Sequence, residues 1–216
     1  MMEHMEDVAF LSDGWHDYAA RKSEADWFNM GGFSKIQPYY TRNMEIYADH
    51  DEVRPFIRSY FNTLASLLNT KNLTLWEHFH NVGAWNKTHE TGYFLLYTRL
   101  MMIMERGEDL WIAPFVTSEW LRDGMVLSIS NAPSKFGTTS YRIASHIGEY
   151  RMEIYVDNHF RKAPASAVIR LRHPDGVPMS AVFLNYKPIR SFDPTRDIIF
   201  VPGDLEKIHI TAMFLQ

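Results

Sequence analysis

Apolar positions along this chain follow two different rules. Up to about residue 105 they recur at helical spacing. Val53, Phe56, Ile57, Tyr60, Phe61, Leu64, Leu67 and Leu68 fall at i, i+3, i+4 and i+7, which predicts an amphipathic helix capped by Asp51 and stopped near Asn69. Upstream, Ser34 is the expected cap of a helix reaching about Asp49, with Ile36, Tyr39, Tyr40, Ile46 and Tyr47 as its apolar positions. Pro38 falls in its first turn, where proline is tolerated. The short Asp49-His50-Asp51 link makes the two an αα-hairpin. A third helix is expected from about Glu90 to Arg106, carrying Tyr93, Phe94, Tyr97, Leu100, Met101 and Met104 and ending at Gly107.

After Gly107 the period drops to two. Short alternating runs at 110–112, 125–130, 140–146, 151–156, 167–172, 181–184, 197–201 and 207–214 read as strands. Turn signals separate them at Asn131-Ala-Pro, Gly137, His146-Ile-Gly, His173-Pro-Asp-Gly, Asn185-Tyr186, Asp193-Pro and Pro202-Gly-Asp. About eight short strands at this spacing read as an antiparallel β-sandwich, with a short helix at 118–122 near the join. The expected fold class is therefore α+β, with helices in residues 1–107 and an antiparallel β-sandwich in residues 108–216.

Composition narrows the function classes. The 216 residues are 46% hydrophobic and 22% charged, enough to bury a core. A net charge of -4 argues against a nucleic-acid footprint. Without cysteine there is no disulfide, thiolate metal site or cysteine nucleophile. No apolar run approaches the ~18 residues of a membrane span, and the first residues show no signal-peptide pattern. Nothing in the sequence calls for a cofactor. The aromatic share of 14% is high, and rings line carbohydrate grooves as well as cores.

The chemistry concentrates between the second and third helices. Residues 73–90 hold Glu77 and Glu90, His78, His80 and His89, and Trp76 and Trp85, with neither helix nor strand period running through them. Polar, aromatic loops of this length are usually functional. Two carboxylates supply the acid and base groups of sugar cleavage, and tryptophan faces supply platforms for sugar rings. An inverting enzyme holds its two carboxyls about 6.5–9.5 Å apart. The plainer roles compete at each residue: Glu90 as a helix cap favoured by free N–H groups, Glu77 as a loop acceptor, and the tryptophans as core. His78 and His80 with His89 have the residue types of a zinc site, but hydrogen bonding is their simpler use. Asn86 and Lys87 are substrate-binding candidates, Lys87 toward a uronic carboxylate. Trp15 and Trp27, with the charged residues between them, form a second aromatic region that reads as a connector or rim loop.

Thr74-Leu75-Trp76-Glu77, a histidine-containing segment, and His89 opening an aromatic helix resemble the six-hairpin glycosidases, in particular α-L-rhamnosidase-type enzymes. So does Leu184-Asn185-Tyr186-Lys187, which is similar to the Val-Asn-Gly-Lys-like hairpin of their sandwich. The resemblance runs over roughly residues 30 to 215. Asn86-Lys87-Thr88-His89-Glu90 departs from that family's Asn-His spacing. The resemblance implies an (α/α)6 toroid followed by a β-sandwich, with Glu77 as general base; read from the residues, Glu90 is a sugar-hydroxyl acceptor or the second catalytic carboxylate, and His89 donates to a sugar hydroxyl or orients Glu77. Trp76, His78, His80, Trp85, Asn86 and Lys87 would then line a sugar subsite, with a poly- or oligosaccharide as substrate.

Three helices cannot close a toroid. The chain therefore reads as the C-terminal portion of a larger catalytic domain whose upstream part is missing, with weak or no activity alone. A polysaccharide lyase drawing on Asn86, His89, Tyr93 and Arg99, and a non-catalytic carbohydrate-binding or structural module, are the alternatives.

Overall fold

The computed structural model describes residues 43–77 and 83–215. The chain divides into two compact units, Met1–Arg99 and Leu100–Gln216.

In the first unit, helix α1 covers Asn43–His50 and α2 covers Val53–Leu67. The expected start of α1 at Ser34 lies outside the described residues, as do Trp15 and Trp27. Asp51 does not cap α2. It adopts a left-handed φ of 63° and donates its N–H to Ala48 O, while Glu52 N donates to Tyr47 O. Those two bonds form a Schellman motif, so Asp51 is committed to ending α1. The cap position of α2 is Glu52, without a side-chain bond.

A two-stranded ribbon follows, β1 (Leu68–Asn69) against β2 (Thr74–Leu75). Helix α3 then runs Thr88–Met102. Met44, Tyr60, Leu67, Leu75 and Tyr97 are buried and line a common internal space, so α1, α2, β2 and α3 share one core. Tyr60 stacks on Phe94 and bonds Thr98 Oγ1 at 2.7 Å. Three helices among the described residues do not by themselves make a toroid.

The third helix stops four residues earlier than its apolar pattern suggests. Ile103–Arg106 forms strand β3, paired with β4 (Asp109–Ile112) from Ile103↔Ile112 to Arg106↔Asp109. Gly107, at φ 55°, is a hairpin residue and not a helix stop. A run such as Leu-Met-Met-Ile-Met satisfies either period, and burial of Ile103 and Met104 in the sheet decides it.

The second unit carries two sheets. One has the order β10-β9-β13-β7-β6-β5 and the other β11-β12-β8-β4-β3. Their strands are β5 Val126–Pro133, β6 Gly137–His146, β7 Arg151–Phe160, β8 Ser166–Arg170, β9 Met179–Leu184, β10 Lys187–Ile189, β11 Phe192–Asp193, β12 Ile198–Pro202 and β13 Lys207–Phe214. All eight runs expected from alternation fall on strands. Two expectations are corrected. The Asn131-Ala-Pro segment is not a turn: β5 passes through it with a break in register between Ile129 and Ala132, a bulge with Asn131 at φ 52°. The sandwich is also not wholly antiparallel, because β4 runs parallel to β8. A parallel pair is normally covered on both faces, and Ala167, Val168, Ile169 and Arg170 of β8 are all buried. In the six-stranded sheet burial alternates: on β13, Ile208, Ile210, Ala212 and Phe214 face inward.

The turn at His173-Pro-Asp-Gly closes as the sequence suggests, with Gly176 N donating to His173 O at φ 71°. His173 is buried against the Phe214 ring, and its Nδ1 accepts from Asp175 N at 3.1 Å. Burial holds its pKa below the usual histidine value, against the opposing pull of Asp175 and Asp197. The folded state thus favours neutral imidazole, whereas the unfolded chain takes up a proton below about pH 6.5. This contribution to stability is whole above that pH and is lost as the pH falls through the lowered folded value. Replacing His173 with Asn, which can still accept from Asp175 N, is expected to flatten the loss of stability between about pH 7 and 5. Urea titrations at each pH test this; equal slopes in both proteins would contradict it.

Candidate functional site

The described candidate residues lie on the segment that leads into helix α3 and in its first turn. Trp76 N donates to Leu67 O, Lys87 N to Leu75 O at 3.0 Å, and Glu77 N to Ala84 O at 2.8 Å. Residues 75–77 and 84–87 therefore run side by side and close a loop at its base. Thr74 Oγ1 adds a bond to Trp85 O. Lys87 directly precedes α3, and its carbonyl accepts from Thr91 N.

This closure sets the position of Glu77. Its Oε1 accepts from Lys87 Nζ at 2.5 Å and its Oε2 from Ala84 N at 3.2 Å. The carboxylate is about a third exposed, 30%, so solvent and ligand both reach it. Its Lys87 partner directly precedes α3.

Glu90 lies in the first turn of the same helix, but it is not a solvated cap. It is only 3% exposed. Its Oε1 meets His89 Nδ1 at 3.2 Å, while Oε2 is buried with no protein partner among the described residues. Oε2 belongs to a residue lining a cavity of about 20 Å³ with Met44, Tyr60, Thr63, Leu67 and Leu75, far too small for a sugar. Glu77 is not part of that lining. Glu90 is thus placed to orient His89, which is half exposed and packs edge-on against Tyr93 at 4.9 Å. A carboxylate held to one ring nitrogen fixes the orientation of the imidazole.

Burying a half-satisfied carboxylate costs free energy. Replacing Glu90 with Met, of similar size and matched to this apolar cavity, is expected to stabilise the protein by about 1–2 kcal/mol. Urea denaturation checks this, and a loss of stability would show that the carboxylate is held for packing alone.

Of the other candidates, Trp85 is 50% exposed, Asn86 is exposed and Trp76 is half-buried. His78 and His80 lie outside the described residues. Among the described residues no group of three or more His, Asp and Glu could hold a metal ion.

A second concavity lies elsewhere, and the sequence reading missed it. It is a trough of about 710 Å³ on the six-stranded sheet, lined among others by Arg142, Tyr155, Asp157, Tyr186 and His209. The only local signal was aromatic and charged side chains at outward positions of expected strands.

No protein-family model matches this chain, and no curated protein matches it. Among solved structures, one described as a glycoside hydrolase overlays with a TM-score of 0.47 at 11% identity, covering 82% of this chain and 31% of that one. A GH127 β-arabinofuranosidase overlays with a TM-score of 0.43 at 7% identity, with the same two coverages. The chain thus spans 31% of the length of these structures. At this identity and overlap the likeness assigns neither chemistry nor substrate.

Proposed function

We propose that the chain is a portion of a glycoside hydrolase acting on poly- or oligosaccharide, and that the N-terminal end of α3 forms one side of its sugar cleft. The observation that carries this reading is the buried Glu90 carboxylate, which spends one oxygen on a half-exposed histidine and has no hydrogen-bond partner for the other among the described residues. Packing gives no reason for such a group, whereas holding an imidazole in one orientation toward a hydroxyl does.

In this reading His89 contacts a sugar hydroxyl and Glu90 positions it. Trp85 offers its exposed ring to a sugar face. Glu77 acts as general base. It takes a proton from water attacking the anomeric carbon, while an acid on the opposite side protonates the leaving oxygen. The partner acid belongs to the rest of a toroidal catalytic domain, so hydrolysis by this chain alone is slow.

Hydrolysis of rhamnosides and uronides by wild type and Glu77→Gln tests the assignment. Turnover is expected to fall in the variant while binding persists; equal turnover would remove Glu77 from the chemistry. The contact between His89 and Tyr93 supports a second reading, a lyase abstracting a proton beside a uronic carboxylate. A carbon–carbon double bond in the product, seen by ultraviolet absorbance, separates the two.

A further inference from the structure

We infer that the outer face of the six-stranded sheet is a second binding site, for a stretch of glycan chain, independent of the helical corner. Register alone assembles it. Ser128 of β5 opposes Arg142 of β6, Arg142 opposes Tyr155 of β7, and Tyr155 opposes His209 of β13. Asn185, in the turn between β9 and β10, continues the row: its Oδ1 accepts from His209 N at 2.8 Å. These residues lie in one line across the strands, and their chain neighbours Tyr141, Val156 and Ile208 are buried. Two residues along, Ser140, Asp157 and Lys207 form a parallel row on the same face.

The face is concave. The trough of about 710 Å³ falls within the range of small-molecule sites. It runs from β5, ahead of the bulge, to the β9–β10 turn, about four strand spacings or ~19 Å. That length accommodates several linked rings.

Its floor is aromatic. Tyr155 and His209 stack at 4.3 Å with their planes 6° apart, and Tyr186 stands against His209 at 4.8 Å. A cross-strand aromatic pair stabilises a sheet on its own account, which explains the Tyr155–His209 stack. It does not explain Tyr186. That residue is 80% exposed, so its ring contributes little to the core. It also occupies the second position of a two-residue turn at φ 67°, after Asn185 at φ 47°, where glycine or asparagine is far less strained. A bulky residue kept in that conformation and turned to solvent points to a use outside folding. Beside these rings, Asp157 Oδ1 and both ring nitrogens of His209 are buried with no hydrogen-bond partner among the described residues.

The chemistry of the trough selects its occupant. The strands beneath it are paired on both sides across β13, β7 and β6, so no backbone is offered to an added peptide strand. Two cations, Arg142 and Lys207, flank one acid, Asp157, which is too little positive charge for a nucleic-acid backbone. Hydroxyl, amide and charged groups beside ring faces suit a molecule with apolar faces and hydroxylated edges.

The test is calorimetric titration of the chain with xylopentaose and with an oligogalacturonide. Tyr186→Asn keeps a residue suited to the turn, and Tyr155→Thr keeps a strand-forming residue; circular dichroism verifies both folds. At least one sugar is expected to bind, about tenfold more weakly in each variant. Tighter binding of the oligogalacturonide, lost in Arg142→Ala, identifies a uronate-bearing chain; equal binding identifies a neutral one. No binding of either sugar, or binding unchanged in both tyrosine variants, would overturn the proposal. Binding lost in Trp85→Ala and unchanged in both tyrosine variants would place the sugar in the helical corner and equally overturn it.

Discussion

Replacing Arg170 with Ala is expected to destabilise the second unit by about 3–5 kcal/mol. Arg170 ends β8 and is 2% exposed. Its NH1 donates to Pro114 O at 2.6 Å and its Nε to Arg196 O at 3.2 Å, and the guanidinium lies over the Trp111 ring at 5.5 Å. Asp197 sits close enough for Arg172 and Arg170 to oppose the burial that raises its carboxyl above the usual range. Truncation to alanine removes three things at once. Two carbonyls lose donors, and the buried one, Pro114 O, costs about 1–3 kcal/mol when left unsatisfied. Asp197 loses one of the charges that compensate its burial. A side-chain-sized void opens beneath Trp111. Urea unfolding followed by tryptophan emission reads the change, because Trp111 lies directly under the substituted group. Arg170→Lys keeps charge but only one arm of the fork, and should fall between. A cost below about 1 kcal/mol for the alanine variant would mean that the arginine is held by nothing it touches.

Glu77→Gln carries the second large effect. A positioned general base typically contributes about 10²–10⁴ in rate, and the loss in kcat is expected in that range. The fold should not answer for it. The Glu77–Lys87 pair is about a third exposed on both sides, and such pairs contribute about 0–1 kcal/mol. The loop base rests on backbone bonds from Glu77 N, Lys87 N and Trp76 N, which the substitution leaves intact. Glutamine also keeps an oxygen for Ala84 N. A variant with unchanged unfolding midpoint and unchanged sugar affinity, but slowed turnover, is the expected outcome. Affinity lost together with rate would instead make Glu77 a substrate-holding group.

Much of the strand content was legible because alternation is a local signal. On β6, β7 and β13 every second residue turns inward, and the sequence shows this directly. The Asn185-Tyr186 turn was legible too, since the pairing Leu184↔Lys187 leaves two residues for it. What failed were choices that depend on distant partners. Ile103 and Met104 continue a helical pattern, and only pairing with Ile112 and Trp111 makes them a strand. The parallel contact of β4 with β8 joins segments more than fifty residues apart, and nothing local announces it. Asp51 has the residue type of a helix start, yet the chain uses it to end the preceding helix. The helical corner was visible as a cluster of reactive residue types, but Glu90's burial was not. A carboxylate in a first helical turn reads as a cap until the core beside it is seen. The trough was least legible of all, because Arg142, Tyr155 and His209 meet only through the register of three strands.

The N-terminal end of α3 is the proposed sugar site. Nuclear magnetic resonance titration of the chain with a panel of rhamnosides and uronides tests this most directly, followed at His89, Tyr93 and Trp85. The expected result is a saturable shift of these three residues with at least one sugar, retained in Glu77→Gln. Shifts confined to Tyr155, Tyr186 and His209, or no shift with any sugar, would contradict it.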